Sequence, residues 1–209
     1  AQAAWQQSWS STAELMLMRW FRRYVMISIA LQTVELSVPF FAILAAISQG
    51  GSQKGLTALI LSSAAALVVS GPIWRLVGRR SDGAVMAGGA LMAAMAGILL
   101  IINYIRPILD VTLIHAAALF AVTVAMTGVS NARTLYFMDL APKDYRIAGL
   151  AASKSVVRIV GIFLATGVAA LAHLQHITWA IALVAGLNLL TAVYVFIAAA
   201  PPAPATGKA

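Results

Sequence analysis

The sequence predicts an all-α membrane protein whose chain crosses the bilayer six times. Hydrophobic residues make up 62% of its 209 residues and charged residues only 10%, whereas soluble domains carry about 25% charged residues. Six apolar stretches are long enough, at about 1.5 Å per helical residue, to cross a hydrocarbon layer of about 30 Å. Short polar or basic segments separate most of these stretches, which is the pattern of a polytopic membrane protein.

The six predicted spans cover residues 24–47, 55–77, 83–104, 109–132, 147–172 and 175–199. Together they define a transmembrane domain over residues 24–200. Before it, Ser11 and Glu14 match a capping box, which predicts a short amphipathic helix at the membrane surface within residues 1–23. After it, residues 201–209 contain three prolines, so we expect a disordered cytoplasmic tail.

Prolines and small residues predict how the spans bend and pack. Pro39 lies inside the first span and Gly71-Pro72 near the end of the second. Because proline lacks a backbone donor, we expect a kink or a break at both places. Small residues at 88–90 and 93–97 would let neighbouring helices approach closely. The spans are therefore expected to pack as one bundle.

The basic residues predict the orientation of the bundle. Ten lie on the side shared by the chain start, the second and fourth breaks and the tail, against Lys54 and Arg106 on the other side. This split places both termini in the cytoplasm, in a bacterial-type inner membrane. The ten are Arg19, Arg22, Arg23, Arg75, Arg79, Arg80, Arg133, Lys143, Arg146 and Lys208.

Several function classes are disfavoured by the same composition. The net charge of +8 comes from topology signals between the spans, so we expect no nucleic-acid partner. The chain has no cysteine, which excludes disulfides and thiolate metal sites. No pattern of catalytic, metal-ligating or phosphate-binding residues is present, so we expect neither an enzyme nor a bound metal or cofactor.

Glu35 is the first candidate functional residue. It lies near the middle of the first span, where an ionised carboxylate is costly and usually has a function. Such an acid could carry a proton or hold a cationic solute. The alternative is a structural role, in which a protonated Glu35 hydrogen-bonds between helices with Gln32, one turn earlier, as its partner.

Three further residues within the spans are candidates for a function. Lys154 and Arg158 are four residues apart and share one helix face. Arg158, the deeper of the two, could bind an anionic solute or form a structural ion pair with Glu35 or Asp139. His115 lies in the fourth span, either as a packing residue or as a proton relay.

Three sequence segments resemble a known transporter family. The segment Ser70–Arg80 resembles the loop pattern G-x-L-x-D-R-x-G-R-R of the major facilitator superfamily, with Gly71, Gly78, Arg79 and Arg80 at matching positions. The acidic position of that pattern is occupied by Arg75. Residues 34–41 resemble the seventh helix of bacterial members, and residues 133–146 resemble the end of their tenth helix and its cytoplasmic loop.

The resemblance implies a fold and a function for the whole chain. The fold is one six-helix half of a twelve-helix transporter, similar to the carboxy-terminal half and built from two inverted three-helix repeats. The function is transport of a small solute by alternating access against a second half. A cytoplasmic gate would involve Gly71, Gly78, Arg79, Arg80, Arg133, Asp139 and Arg146.

A second function from a different class stays open. The chain could be a facilitator-derived scaffold that does not transport and packs within a larger membrane complex. Three features favour this alternative: the lone half, the missing acid at Arg75 and the small number of polar groups expected to face any cavity. Glu35 and Arg158 inside the spans favour transport.

The charge split generates a prediction about topology. A cysteine at Ser52 should react with a membrane-impermeant maleimide added from outside the cell, and a cysteine at Ser81 should not. Because the native chain has no cysteine, each variant reports one position. The reverse labelling pattern would overturn the orientation.

Overall fold

The computed structural model describes residues 14–50, 52–78, 81–107, 110–174 and 177–199. Within these ranges the chain forms six long helices, all of them long and apolar enough to cross a membrane. They are α1 (Arg19–Ser48), α2 (Gln53–Gly78), α3 (Asp82–Ile105), α4 (Val111–Leu140), α5 (Arg146–Leu174) and α6 (Ile177–Ala198). A short 3₁₀ turn, Lys143–Tyr145, precedes α5. The predicted all-α architecture with six membrane-length helices is confirmed.

The six helices fall into a central set and a peripheral set. The most extensive contacts join α3 to α4 and α6, and α1 also packs against α4 and α6. By contrast, α2 packs mainly on α4, and α5 packs on α1 and α6. In the most apolar segment of each central helix (α1, α3, α4 and α6), 44–56% of the residues are buried. In the corresponding segments of α2 and α5, only 17% are buried. The two peripheral helices therefore leave most of their surface free for lipid or another chain.

Glycines in α3 allow its close contacts. A Cβ atom added at Gly89 would lie 2.5 Å from Cγ2 of Val129 on α4, and one at Gly97 would lie 2.8 Å from Cβ of Ala185 on α6. Both distances are shorter than van der Waals contact. The small residues of this span thus permit close backbone packing, which is how helices associate where lipid removes the hydrophobic driving force.

Trp74 fixes the peripheral helix α2 to the centre of the bundle. Its indole Nε1 donates a hydrogen bond to the Val124 carbonyl on α4 at 2.7 Å, and its ring lies over Gly128 and beside Gly88. A Cβ atom at Gly128 would come within 2.2 Å of the indole ring. The ring can therefore occupy this position only because residue 128 has no side chain.

A buried polar cluster joins α1 to α6. Asn188 donates from Nδ2 to the Ser37 hydroxyl at 2.7 Å, and its Oδ1 accepts from the Thr33 hydroxyl at 2.7 Å. Thr191 donates to the Ala30 carbonyl at 3.1 Å. The side chains of Thr33, Ser37, Asn188 and Thr191 are all buried, so their mutual hydrogen bonds replace those that water would supply.

Arginines at one end of the bundle bind the ends of neighbouring helices. Arg23, near the start of α1, donates from Nε to the Ala198 carbonyl at the end of α6 at 2.8 Å. Arg146, at the start of α5, donates from Nη2 to the Met138 carbonyl near the end of α4 at 2.8 Å. These carbonyls have no partner within their own helix, so each arginine also neutralises the partial negative charge of a helix end.

The structure corrects three sequence-based expectations about where helices begin and end. First, the fourth helix does not stop at residue 132 but continues to Leu140. Second, α2 runs through Gly71-Pro72 to Gly78 without a break, so a bend is what stays predicted there. Third, the first long helix begins at Arg19 rather than at residue 24.

The described part of the segment before α1 packs against the bundle. Residues 14–17 form a helical turn, and Leu15 is buried in a cluster with Phe21, Tyr24 and Phe137. This part of the predicted surface helix therefore packs on the end of the bundle. Ser11 of the predicted capping box lies outside the described residues, as does the predicted tail from residue 201 onward.

The Trp74 contact generates a prediction about stability. Gly128→Ala should lower the free energy of unfolding by about 1–3 kcal/mol, because the added methyl group displaces the indole from its position. Gly167→Ala is the matched control, since a Cβ at Gly167 meets nothing within 4 Å; its expected effect lies within about 0.5 kcal/mol of neutral or is stabilising. Thermal unfolding followed by circular dichroism in detergent measures both, and equal melting temperatures for the two variants would contradict the proposed steric role.

Candidate functional site

A polar cavity of about 570 Å³ lies between α1, α4 and α5. Glu35 and Gln32 line it from α1, Arg133 from α4, and Arg158 from α5. Its volume falls in the range of small-molecule sites, about 300–1,000 Å³. Charged groups in apolar helices of this kind usually mark a solute or ion pathway, so this cavity is the candidate functional site.

An ion pair across the cavity joins α1 to α4. Nη2 of Arg133 lies 2.8 Å from Oε1 of Glu35, and Nε2 of Gln32 donates to the other carboxylate oxygen, Oε2, at 2.9 Å. Each oxygen of the acid therefore faces one donor, an arrangement that suits an ionised carboxylate. The side chains of Arg133 and Glu35 are 20% and 31% exposed, so the pair lies at the cavity wall within reach of a ligand.

The spacing of polar residues along α1 explains why the acid faces the cavity. Gln32 and Glu35 are three residues apart and share one helix face, whereas Thr33 and Ser37 lie on the face that meets α6. On the opposite wall, a Cβ at Gly161 of α5 would lie 3.2 Å from the Gln32 side chain. Glycine at this position therefore lets α5 approach the Gln32 side chain closely.

The wall formed by α5 is basic. Lys154 and Arg158 line the cavity, and both residues are exposed. Neither forms an ion pair or hydrogen bond within the part of the chain that the structure describes. The cavity walls thus carry three cationic side chains and one carboxylate among the described residues.

The structure brings together three of the four residues predicted for solute or proton coupling. Gln32, Glu35 and Arg158 line one cavity. His115 does not: it lies near the start of α4, is buried, and has its Nδ1 2.6 Å from the Val111 carbonyl. A part in coupling stays a prediction for each of the four.

The ion-pair partner of Glu35 differs from the expected one. Arg158 is expected to pair with Glu35 or Asp139, whereas Glu35 pairs with Arg133. The expected hydrogen-bond partner, Gln32, does donate to the Glu35 carboxylate at 2.9 Å. Arg133 was assigned to the cytoplasmic loops because the fourth span was expected to end at residue 132. It lies instead inside α4, well before the helix ends at Leu140.

The described residues predicted for a cytoplasmic gate lie at different places in the bundle. Gly71 is exposed with open space around it, and Gly78 ends α2 beside Val85. Asp139 is exposed in the last turn of α4, and Arg146 binds the end of that helix. Arg79 and Arg80 lie outside the described residues. A gating role stays a prediction for this set.

Comparisons with known proteins give relatives but no function. Uncharacterized proteins of Mycobacterium tuberculosis and Mycobacterium bovis are 26% identical over 175 residues, which is 83% of this chain and 33% of each relative. The chain thus spans about one third of the length of the curated relatives it matches. No protein-family model matches the chain, and no solved structure matches it.

The ion pair generates a prediction about stability. Glu35→Gln and Arg133→Gln should each lower the free energy of unfolding by about 1–3 kcal/mol, because each leaves a charged group at the cavity wall without its partner. The double variant should lose less than the sum of the two. Thermal unfolding of the four proteins in detergent gives the coupling, and additive losses would show that the two side chains do not interact.

Proposed function

We propose that the chain is one six-helix half of a secondary transporter of the major facilitator kind, which moves a small solute by alternating access. The observation that carries this proposal is the polar cavity between α1, α4 and α5, in which Glu35 and Arg133 pair inside apolar helices. A purely structural ion pair would not need an adjoining cavity of about 570 Å³. A solute site requires one.

The packing order of the helices supports the two-repeat organisation that such a half would have. In such an organisation α1, α2 and α3 correspond to α4, α5 and α6. The contact of α2 with α4 should then have a counterpart between α5 and α1. The contact of α3 with α4 should have one between α6 and α1. All four contacts are present, whereas the contact of α1 with α3 has no equally extensive counterpart between α4 and α6 in the described residues. Because each repeat has three spans, the second would cross the membrane in the opposite direction, which makes the repeats inverted.

The exposed cations on α5 support a second half as the partner. Lys154 and Arg158 are exposed on a span that lies at the periphery of the bundle, and such groups are costly against acyl chains. Protein or a water-filled cleft should therefore cover this face. The mycobacterial relatives are about three times as long as the matched region, which leaves room in proteins of that kind for a second six-helix half.

The proposed membrane and orientation rest on charge. Arg23 and Arg146 bind helix ends on one side of the bundle, and most other basic residues belong to the same side. We place that side in the cytoplasm of a bacterial inner membrane. Both ends of the six-helix unit are then cytoplasmic.

Alternating access can be tested without knowing the solute. Ser130 lines the cavity from α4 and is exposed, so Ser130→Cys should react with a charged maleimide from either side of the membrane as the protein alternates. Labelling in intact cells and in inside-out vesicles measures the two accessibilities. Val68→Cys is the control, because Val68 is 77% exposed on the apolar surface of α2 and should be protected by lipid from both sides.

The same labelling experiment separates the transporter from the scaffold. A scaffold holds one conformation, so Ser130→Cys would react from one side only, at a rate unaffected by conditions. That result would reject alternating access and leave the chain as a non-transporting subunit of a larger membrane complex.

A further inference from the structure

The cavity carries an excess of positive charge. Arg133, Lys154 and Arg158 line it together with one acid, Glu35. The carboxylate of Glu35 is already occupied, because Arg133 and Gln32 each donate to one of its oxygens. Its single negative charge is therefore already paired with Arg133, and it leaves the two cations on the α5 wall without a counter-charge.

The two cations of α5 repel each other. Lys154 and Arg158 are one turn apart on the same helix face, where like charges destabilise a helix. No described residue forms an ion pair with either. Both lie in a span that is otherwise apolar, where a cation is normally matched by a counter-charge. A bound anion would supply that counter-charge.

Arg133 also retains an unused donor. Its Nη2 binds Glu35, but its Nη1 is buried and has no hydrogen-bond acceptor among the described residues. A buried guanidinium nitrogen without an acceptor destabilises the protein. An anionic oxygen is the acceptor that a guanidinium binds best.

We propose that the cavity binds a small organic anion through its carboxylate or phosphate group, with Arg133, Lys154 and Arg158 as the binding residues. This inference deepens the transport proposal, because it takes the cavity to be the solute site and names the class of solute. The volume of about 570 Å³ accommodates a molecule of several carbon atoms rather than only a monatomic ion.

Glu35 then has a defined role as an internal competitor. When the cavity is empty, its carboxylate holds Arg133; when an anion binds, the ligand competes for the same guanidinium. Removing the charge of Glu35 should therefore strengthen anion binding. If Glu35 itself binds a cationic solute, the same substitution has the opposite effect, because it would abolish binding of the cation.

The test measures binding to the native assembly, purified with its partners and placed in phosphatidylcholine nanodiscs. Calorimetric titration uses succinate and inorganic phosphate as anionic probes and spermidine as the cationic probe. Arg158→Gln and Lys154→Gln should each weaken anion binding about tenfold or more, because each removes a charged contact. Glu35→Gln should tighten it several-fold. Arg75→Gln, which removes an exposed cation of α2 outside the cavity, should leave the affinity unchanged.

A second arm identifies the source of the anion. Replacing phosphatidylcholine with phosphatidylglycerol introduces a lipid phosphate group, and native mass spectrometry counts the lipids retained by the wild type and by Arg158→Gln. Retention that depends on Arg158, with weaker succinate binding, would assign the site to a lipid headgroup. Unchanged succinate or phosphate binding would assign it to a soluble anion. Both results support the anionic class.

Three results would overturn the proposal. These are binding of spermidine in preference to the anions, loss of anion binding in Glu35→Gln, and the absence of Arg158-dependent binding of any anion in either lipid. The outcome is independent of the labelling of Ser130→Cys. Labelling from both sides without anion binding would support transport and reject an anionic solute. Anion binding with labelling from one side would support the anion site and reject alternating access.

Discussion

The pairing of Glu35 with Arg133 is the interaction on which the candidate site depends. A charge inside apolar helices is costly without a partner, and the two members of this pair come from the first and fourth helices, with Nη2 and Oε1 2.8 Å apart. The pair therefore fixes the relative position of α1 and α4 and forms one wall of the cavity. Both side chains are partly exposed and line the cavity, so a ligand in the cavity can compete for the contact that joins the two helices.

Helix α1 separates its polar groups into two sites with different chemistry. Thr33 and Ser37 face Asn188 on α6, where buried donors and acceptors satisfy one another. Gln32 and Glu35 face the cavity, where cations on α5 remain available. A closed hydrogen-bond network holds two helices in one arrangement, whereas an open, charged wall can bind a solute. One helix thus joins the rigid part of the bundle to its candidate site.

The contrast between central and peripheral helices follows from side-chain size and explains which surfaces stay available. Glycines 89 and 97 of α3 permit close contacts with α4, α6 and α1 that a methyl group would prevent, and burial is concentrated in these four helices. The peripheral α5 has few such contacts and carries Lys154 and Arg158 on its exposed surface. The close packing of the four central helices does not extend to α5, so its basic surface stays accessible to a partner or a solute.

The sequence alone determined the membrane class, the six spans and the acid of the first span, because transfer into a bilayer depends on local composition that can be counted along the chain. It failed where the deciding interaction is between distant residues. Arg133 and the polar residues after it predicted the end of the fourth span, yet α4 continues to Leu140, and Arg133 pairs with Glu35, which is far away in the chain. Gly71-Pro72 predicted a break or a bend in α2, and the helix does not break there. Trp74, in the turn that follows, packs over Gly128 of α4. Which charge meets which, and therefore where the cavity lies, was decided only by tertiary packing, since helix faces are matched by shape and charge across the bundle.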